Sequence, residues 1–245
     1  MPDIVIGSGN EAIPSYFGTP AGTGPWPGVV VLHDALGQTD ASRGQVDWLA
    51  ASGYLAVAPD LFARGNRLLC LLAVSRQMVA RQGSAFDDIE AARAWLIDRP
   101  DCTGRTGVIG FCMGGGFTLL SATQKGFDVA SVNYGPVPKD AEALLAGACP
   151  IVGSYGGRDR MMKGSTGRLS DALRTNAVEH DVKEYPDAGH AFLEVHGGKL
   201  GWIMARLGMQ FHAASATDAR RRILDFVARH LGEKQPLSGP ASFNL

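Results

Sequence analysis

The chain has 245 residues, of which 45% are hydrophobic and 19% charged, and a formal net charge of −1. That supplies apolar sequence for a full core, while scattered, nearly balanced charge gives no basic footprint for nucleic acid and no acidic tail. Met1 to Gly7 lacks the basic start and apolar stretch of a signal peptide, and the longest apolar run, Leu68 to Val74, falls far short of the ~18 residues of a membrane span, so a cytoplasmic protein is expected.

In chain order, the first strong signal is the apolar run Gly28 to Leu32, too short for a helix and read as a strand. It runs into the loop His33-Asp34-Ala35-Leu36-Gly37. Helical spacing over Ser42 to Ser52 precedes a second strand, Tyr54 to Ala58. The segment 65–82, with Leu68-Leu69-Cys70-Leu71-Leu72 among Arg67, Arg76 and Arg81, reads as a core-packed helix ahead of a lid or a dimer contact. A helix over Phe86 to Ile97 leads to the strand Thr106 to Ile109, and a helix over Phe117 to Thr123 leads to the strand Val129 to Asn133. Helix Asp140 to Ala146, strand Pro150 to Ser154, helix Gly167 to Ala177, strand Val182 to Tyr185 and helix Asp218 to Leu231 complete the series. The tail from Gly232 to Leu245 is expected to lie over the surface or fray.

Strands alternating with helices along almost the whole chain predict one α/β domain, a mostly parallel sheet with helices on both faces. In such sheets reactive groups gather beyond the carboxyl ends of the strands, where loops and helix N-termini converge.

One junction of this kind reads Gly110-Phe111-Cys112-Met113-Gly114. Strand, G-x-nucleophile-x-G and helix make an elbow, in which the central residue sits on a turn too tight for side chains at the flanking glycines. Cys112 would be presented at a helix N-terminus, whose free N–H groups and partial positive charge favour thiolate. An unperturbed thiol at pH 7 is only roughly a few per cent ionised, so a basic partner matters. Two other strand ends supply candidates: Gly156-Gly157-Arg158-Asp159 and Asp187-Ala188-Gly189-His190. Asp159 and His190 follow Cys112 in the order nucleophile, acid, histidine, with Asp187 as a competing acid that could make a turn hydrogen bond instead. An oxyanion hole would use the N–H of Met113 and one from the His33 to Gly37 loop, for which Ala35 is selected. The remaining cysteines, Cys70, Cys102 and Cys149, show no metal-ligand spacing, and no cofactor or metal is expected. His33 reads as structural, and His180, His196, His212 and His230 as surface residues.

With these motifs the chain resembles the dienelactone hydrolase family of α/β-hydrolases. The likeness runs from the His33 to Gly37 loop through Gly53 to Phe62, the cysteine elbow, Gly156 to Asp159 and Gly189 to Phe192, to the last helix. It implies hydrolysis of a small-molecule ester or lactone through a thioester, by a monomer or homodimer without membrane or nucleic-acid partners. It also implies a substrate pocket touched by Asp34, where the best-known members carry glutamate, and by Arg64. In those members an arginine shortly after the histidine holds an anionic substrate, whereas this chain has Glu194, which points to neutral substrates. Phe192 and Trp202, the latter within the Gly-, Met- and aromatic-rich stretch 197–211, are expected to line the pocket. The rival reading is a ligand-binding or redox-sensing protein on the same scaffold, with Cys112 reversibly oxidised.

Overall fold

The structure is a computed structural model that describes residues 1–7, 12–124 and 126–232. Its elements are β1 (Asp3–Ile6), β2 (Ile13–Gly18), β3 (Trp26–Leu32), α1 (Asp40–Ala51), β4 (Leu55–Pro59), α2 (Arg67–Ala80), α3 (Ser84–Ile97), β5 (Cys102–Phe111), α4 (Met113–Ser121) and β6 (Val129–Asn133). They continue with α5 (Ala141–Leu144), β7 (Ile151–Gly156), α6 (Ser165–Thr175), β8 (His180–Tyr185), α7 (Gly198–Arg206) and α8 (Ala213–Leu231). The strands form one eight-stranded sheet in the order β1-β2-β4-β3-β5-β6-β7-β8. From β4 across to β8 every pairing is parallel, and β1 and β2 add an antiparallel edge.

The sequence sets the two faces of this sheet through the period-2 alternation of strands. In β3, Val30 and Leu32 belong to the layer of Phe86, Ile89 and Leu96 of α3 and Phe117 of α4, while Val29 and Val31 belong to the opposite layer with Val46 and Leu49 of α1 and Ile223, Phe226 and Val227 of α8, which lies over β5, β6 and β7. Both faces are covered, so the central strands are apolar throughout instead of alternating with polar residues. Each fully buried Leu, Ile or Phe contributes about 1.5–3 kcal/mol relative to exposure.

All six expected strands are present, and the differences have local causes. β1 has only the three apolar residues Ile4, Val5 and Ile6, too few to mark a strand, and in β2 Pro14, Ser15 and Gly18 interrupt the pattern. Helix α1 starts earlier than its apolar spacing suggests because Thr39 caps it: Thr39 Oγ1 accepts from the Ser42 N–H, and Ser42 Oγ accepts from the Thr39 N–H. Helix α8 extends back through Ala213-Ala214-Ser215-Ala216, small residues that favour helix without marking a face.

The core-packing expectation for 65–82 is corrected. Only Cys70 and Val74 of α2 are buried, and Leu68, Leu69, Leu72 and Val79, the last 81% exposed, face outward. No helix among the described residues is long and apolar enough to cross a membrane. All but the first residue of the 232–245 tail lies outside the described residues.

Candidate active site

The site begins where β5 passes into α4. Cys112 occupies the N-cap with φ 53° and ψ −115°, a backbone conformation rarely adopted by residues with a Cβ. The flanking glycines are required by contact: a Cβ on Gly110 would come within 2.2 Å of the Gly114 carbonyl oxygen, and one on Gly114 within 2.2 Å of the Leu32 carbonyl oxygen. The bend is held by the Cys112 N–H, which donates to the Asn133 carbonyl at 3.0 Å, and by Asn133 Nδ2, which donates to the Gly110 carbonyl at 3.2 Å. The half-buried sulfur therefore sits at the positive end of α4.

Loops beyond β7 and β8 bring the other two residues in. His190 Nδ1 and Asp159 Oδ2 are 2.6 Å apart, and both side chains are almost fully buried. Asp159 Oδ1 in turn accepts from the Met161 and Met162 N–H groups, which fixes the carboxylate. The competing Asp187 is instead exposed and ion-paired to Arg158. Burial disfavours a charged His190 ring, but the Asp159 hydrogen bond and the Cys112 sulfur outweigh it, and the pKa is pushed up to about 10. The sulfur acts on the ring without meeting hydrogen-bond geometry, and His190 Nε2 is buried with no hydrogen-bond partner among the described residues. With Nδ1 committed to Asp159, Nε2 is the atom left to exchange a proton.

The loop after β3 is locked by His33. Its Nδ1 lies 2.7 Å from the Asp34 carbonyl and its Nε2 accepts from the Leu61 N–H at 3.1 Å, which defines a neutral ring with the proton on Nδ1. Burial lowers its pKa and keeps it neutral. His33 is thus the structural residue expected. Among the described residues, neither the Ala35 nor the Met113 N–H donates to another protein group. Two main-chain donors therefore remain free at the elbow and on the adjoining loop.

The other expected pocket residues are placed as follows. Asp34 is buried, and its Oδ1 accepts from the Leu36 N–H at 2.8 Å; among the described residues it makes no hydrogen bond to Cys112. Burial raises its pKa. Arg64 makes a two-pronged ion pair with the buried Asp88 of α3, so its guanidinium is engaged in the fold. Phe192 is fully buried between Tyr134 and Tyr185. Trp202 stands on α7, 62% exposed, with Arg206 over its ring.

Three residues carry more of the site than the sequence reading gave them. Tyr134, at the end of β6, packs edge-on against His190 and donates its hydroxyl to Glu194 Oε2 at 2.9 Å. Glu194 is 2% exposed, and burial together with Asp34 pushes its pKa up to about 8. His196, expected on the surface, has a side chain only 6% exposed, with Nε2 4.0 Å from Asp34 Oδ2. The signal for Glu194 and His196 was their closeness to His190 in the chain; nothing marked Tyr134.

A mostly parallel sheet with helices on both faces, a cysteine on a strained strand-to-helix turn and an Asp–His pair on later strand ends define an α/β-hydrolase. The family model for the dienelactone hydrolase family matches residues 13–231. The chain belongs to that family, and as a member it is a hydrolase. It is 30% identical over 233 residues to the carboxymethylenebutenolidase of Pseudomonas putida, covering 91% of this chain and 93% of the relative. A crystallised Klebsiella pneumoniae protein assigned as a dienelactone hydrolase superposes with a TM-score of 0.78 at 26% identity, covering 93% of this chain and 98% of the other. A dienelactone hydrolase-like promiscuous phosphotriesterase from metagenomic libraries shares the fold, with a TM-score of 0.74 at 19% identity and coverage of 94% and 98%.

Proposed function

We propose that the chain hydrolyses neutral carboxylic esters or lactones through a thioester on Cys112. The observation that carries the reading is the 2.6 Å Asp159–His190 contact, which leaves the buried His190 Nε2 unpartnered beside a sulfur on a strained elbow.

In this reading His190 takes the Cys112 proton at Nε2, and a ring with a pKa of about 10 keeps it at neutral pH. The sulfur adds to the substrate carbonyl, and the Ala35 and Met113 N–H groups receive the negative oxygen. Collapse of the tetrahedral adduct expels the alkoxide, which takes the proton from His190, and leaves the acyl group on sulfur. Water then gives a proton to His190 and adds to the thioester; the acid departs and the thiol is restored. Asp159 holds the imidazole with Nε2 inward and stabilises its charged form. A substrate carboxylate entering beside the buried Asp34 would meet a second acidic group, which supports the neutral class.

The test is mass spectrometry of the intact protein mixed with p-nitrophenyl acetate. An acetyl adduct on Cys112, absent in Cys112→Ala together with turnover, is expected; turnover that survives in Cys112→Ala overturns the reading. A faster rate on a carboxylate-bearing lactone than on its neutral methyl ester removes the substrate class.

A further inference from the structure

Asp34, on the loop after β3, and Glu194 and His196, on the segment leading into α7, meet from distant parts of the chain. One donor atom from each lies within 4.8 Å of the other two. The two carboxylates are 5% and 2% exposed. We propose that these three side chains form a binding site for one divalent transition-metal cation of the zinc type.

The strongest support is His196. Its side chain is nine-tenths buried, and its Nε2 has no hydrogen-bond partner among the described residues, although a buried ring nitrogen without one is costly. That atom faces Asp34 Oδ2 at 4.0 Å, too far for a hydrogen bond. An ion bound at about 2.0–2.2 Å from nitrogen and oxygen donors holds two ligand atoms about 3–4 Å apart, so small side-chain adjustments close the set.

One oxygen of each carboxylate is already tied down. Asp34 Oδ1 is held by the Leu36 N–H and Glu194 Oε2 by the Tyr134 hydroxyl. Such outer hydrogen bonds orient ligands in metal centres. Asp34 and Glu194 are both buried here, and a bound cation would neutralise the pair of carboxylates. Two carboxylates and an imidazole suit zinc, cobalt or manganese better than calcium or magnesium, which take six or more oxygens or keep most of their water.

The experiment is calorimetric titration of Zn²⁺, and optical titration of Co²⁺, into the full chain bearing Cys112→Ser, so that the nearby sulfur cannot supply the binding. One equivalent of Zn²⁺ and a Co²⁺ visible spectrum of the intense four-coordinate kind are expected. His196→Ala and Asp34→Asn, from different segments, should each weaken Zn²⁺ binding at least about tenfold while melting in EDTA stays near the parent value. A parent chain with no saturable binding overturns the proposal without recourse to any variant, as does equal affinity in both variants. No ester is turned over in this measurement, so its outcome is separate from that of the hydrolytic reading.

Discussion

His190 and Asp159 share a 2.6 Å contact just past the ends of two neighbouring strands, and the carboxylate is held in turn by the Met161 and Met162 N–H groups. Asp159→Asn should keep the Met161 and Met162 bonds to its remaining oxygen and lose the acceptor for the protonated Nδ1. The expected outcome is a fall in kcat of about 10⁴ with a small change in melting temperature. Steady-state kinetics on p-nitrophenyl acetate beside a thermal melt checks it, and a loss below tenfold would remove Asp159 from the proposed role.

Met113 is the first residue of α4, a position where proline is tolerated because its N–H has no intrahelical partner. Met113→Pro deletes one proposed oxyanion donor, and because proline also restricts the backbone of the residue before it, an unchanged rate of Cys112 alkylation by iodoacetamide is the control that the sulfur is still presented. A drop in kcat of roughly 10²–10³ with KM nearly unchanged is expected. Retained kcat in a folded variant would assign the stabilisation elsewhere.

Stability should fall as the pH rises. His190 has its pKa raised to about 10 from 6.5, so its contribution is fully present below pH 6.5 and is lost through about pH 10. Glu194, raised to about 8 from 4.5, acts with the same sign: its protonated form is favoured in the fold, and stability drains away between these values. Urea denaturation at pH 5, 7, 8.5 and 10 should show a steady decline. Glu194→Gln should flatten the part below about pH 6.5, lessen the slope between 6.5 and 8 and leave the alkaline part.

Gly114→Ala places a methyl group against the Leu32 and His33 carbonyl oxygens. Relief requires moving α4 off β3, and a loss of at least about 3 kcal/mol is expected, equivalent to a fall of about 6–12 °C in melting temperature. By contrast, Leu68→Ser and Val79→Ser on the outward face of α2 should change stability by less than about 0.5 kcal/mol, as surface substitutions do. Differential scanning calorimetry distinguishes the two groups.

What the sequence makes legible here follows the range of the forces involved. Cys112 and Asp159 stand just past buried strands and His190 just past the more polar β8, so strand order alone places them on one rim. Gly110 and Gly114 announce the elbow because no other residue fits. The edge strands were silent because β1 is only four residues long and Pro14 and Gly18 break the apolar pattern of β2. The outward leucines of α2 look like core residues in one dimension, since composition does not say which way a helix faces. Tyr134 and His196 owe their meaning to contacts across 60 and 162 positions of chain, with Glu194 and Asp34 respectively, and no periodicity records those.

The bend at residue 112 is imposed by main-chain crowding around Gly110, Gly114 and Asn133, and the sulfur contributes nothing to making it. The scaffold is therefore indifferent to which heteroatom it presents. Exchanging sulfur for oxygen at residue 112 would alter one atom, and the same bend would present a serine hydroxyl in its place.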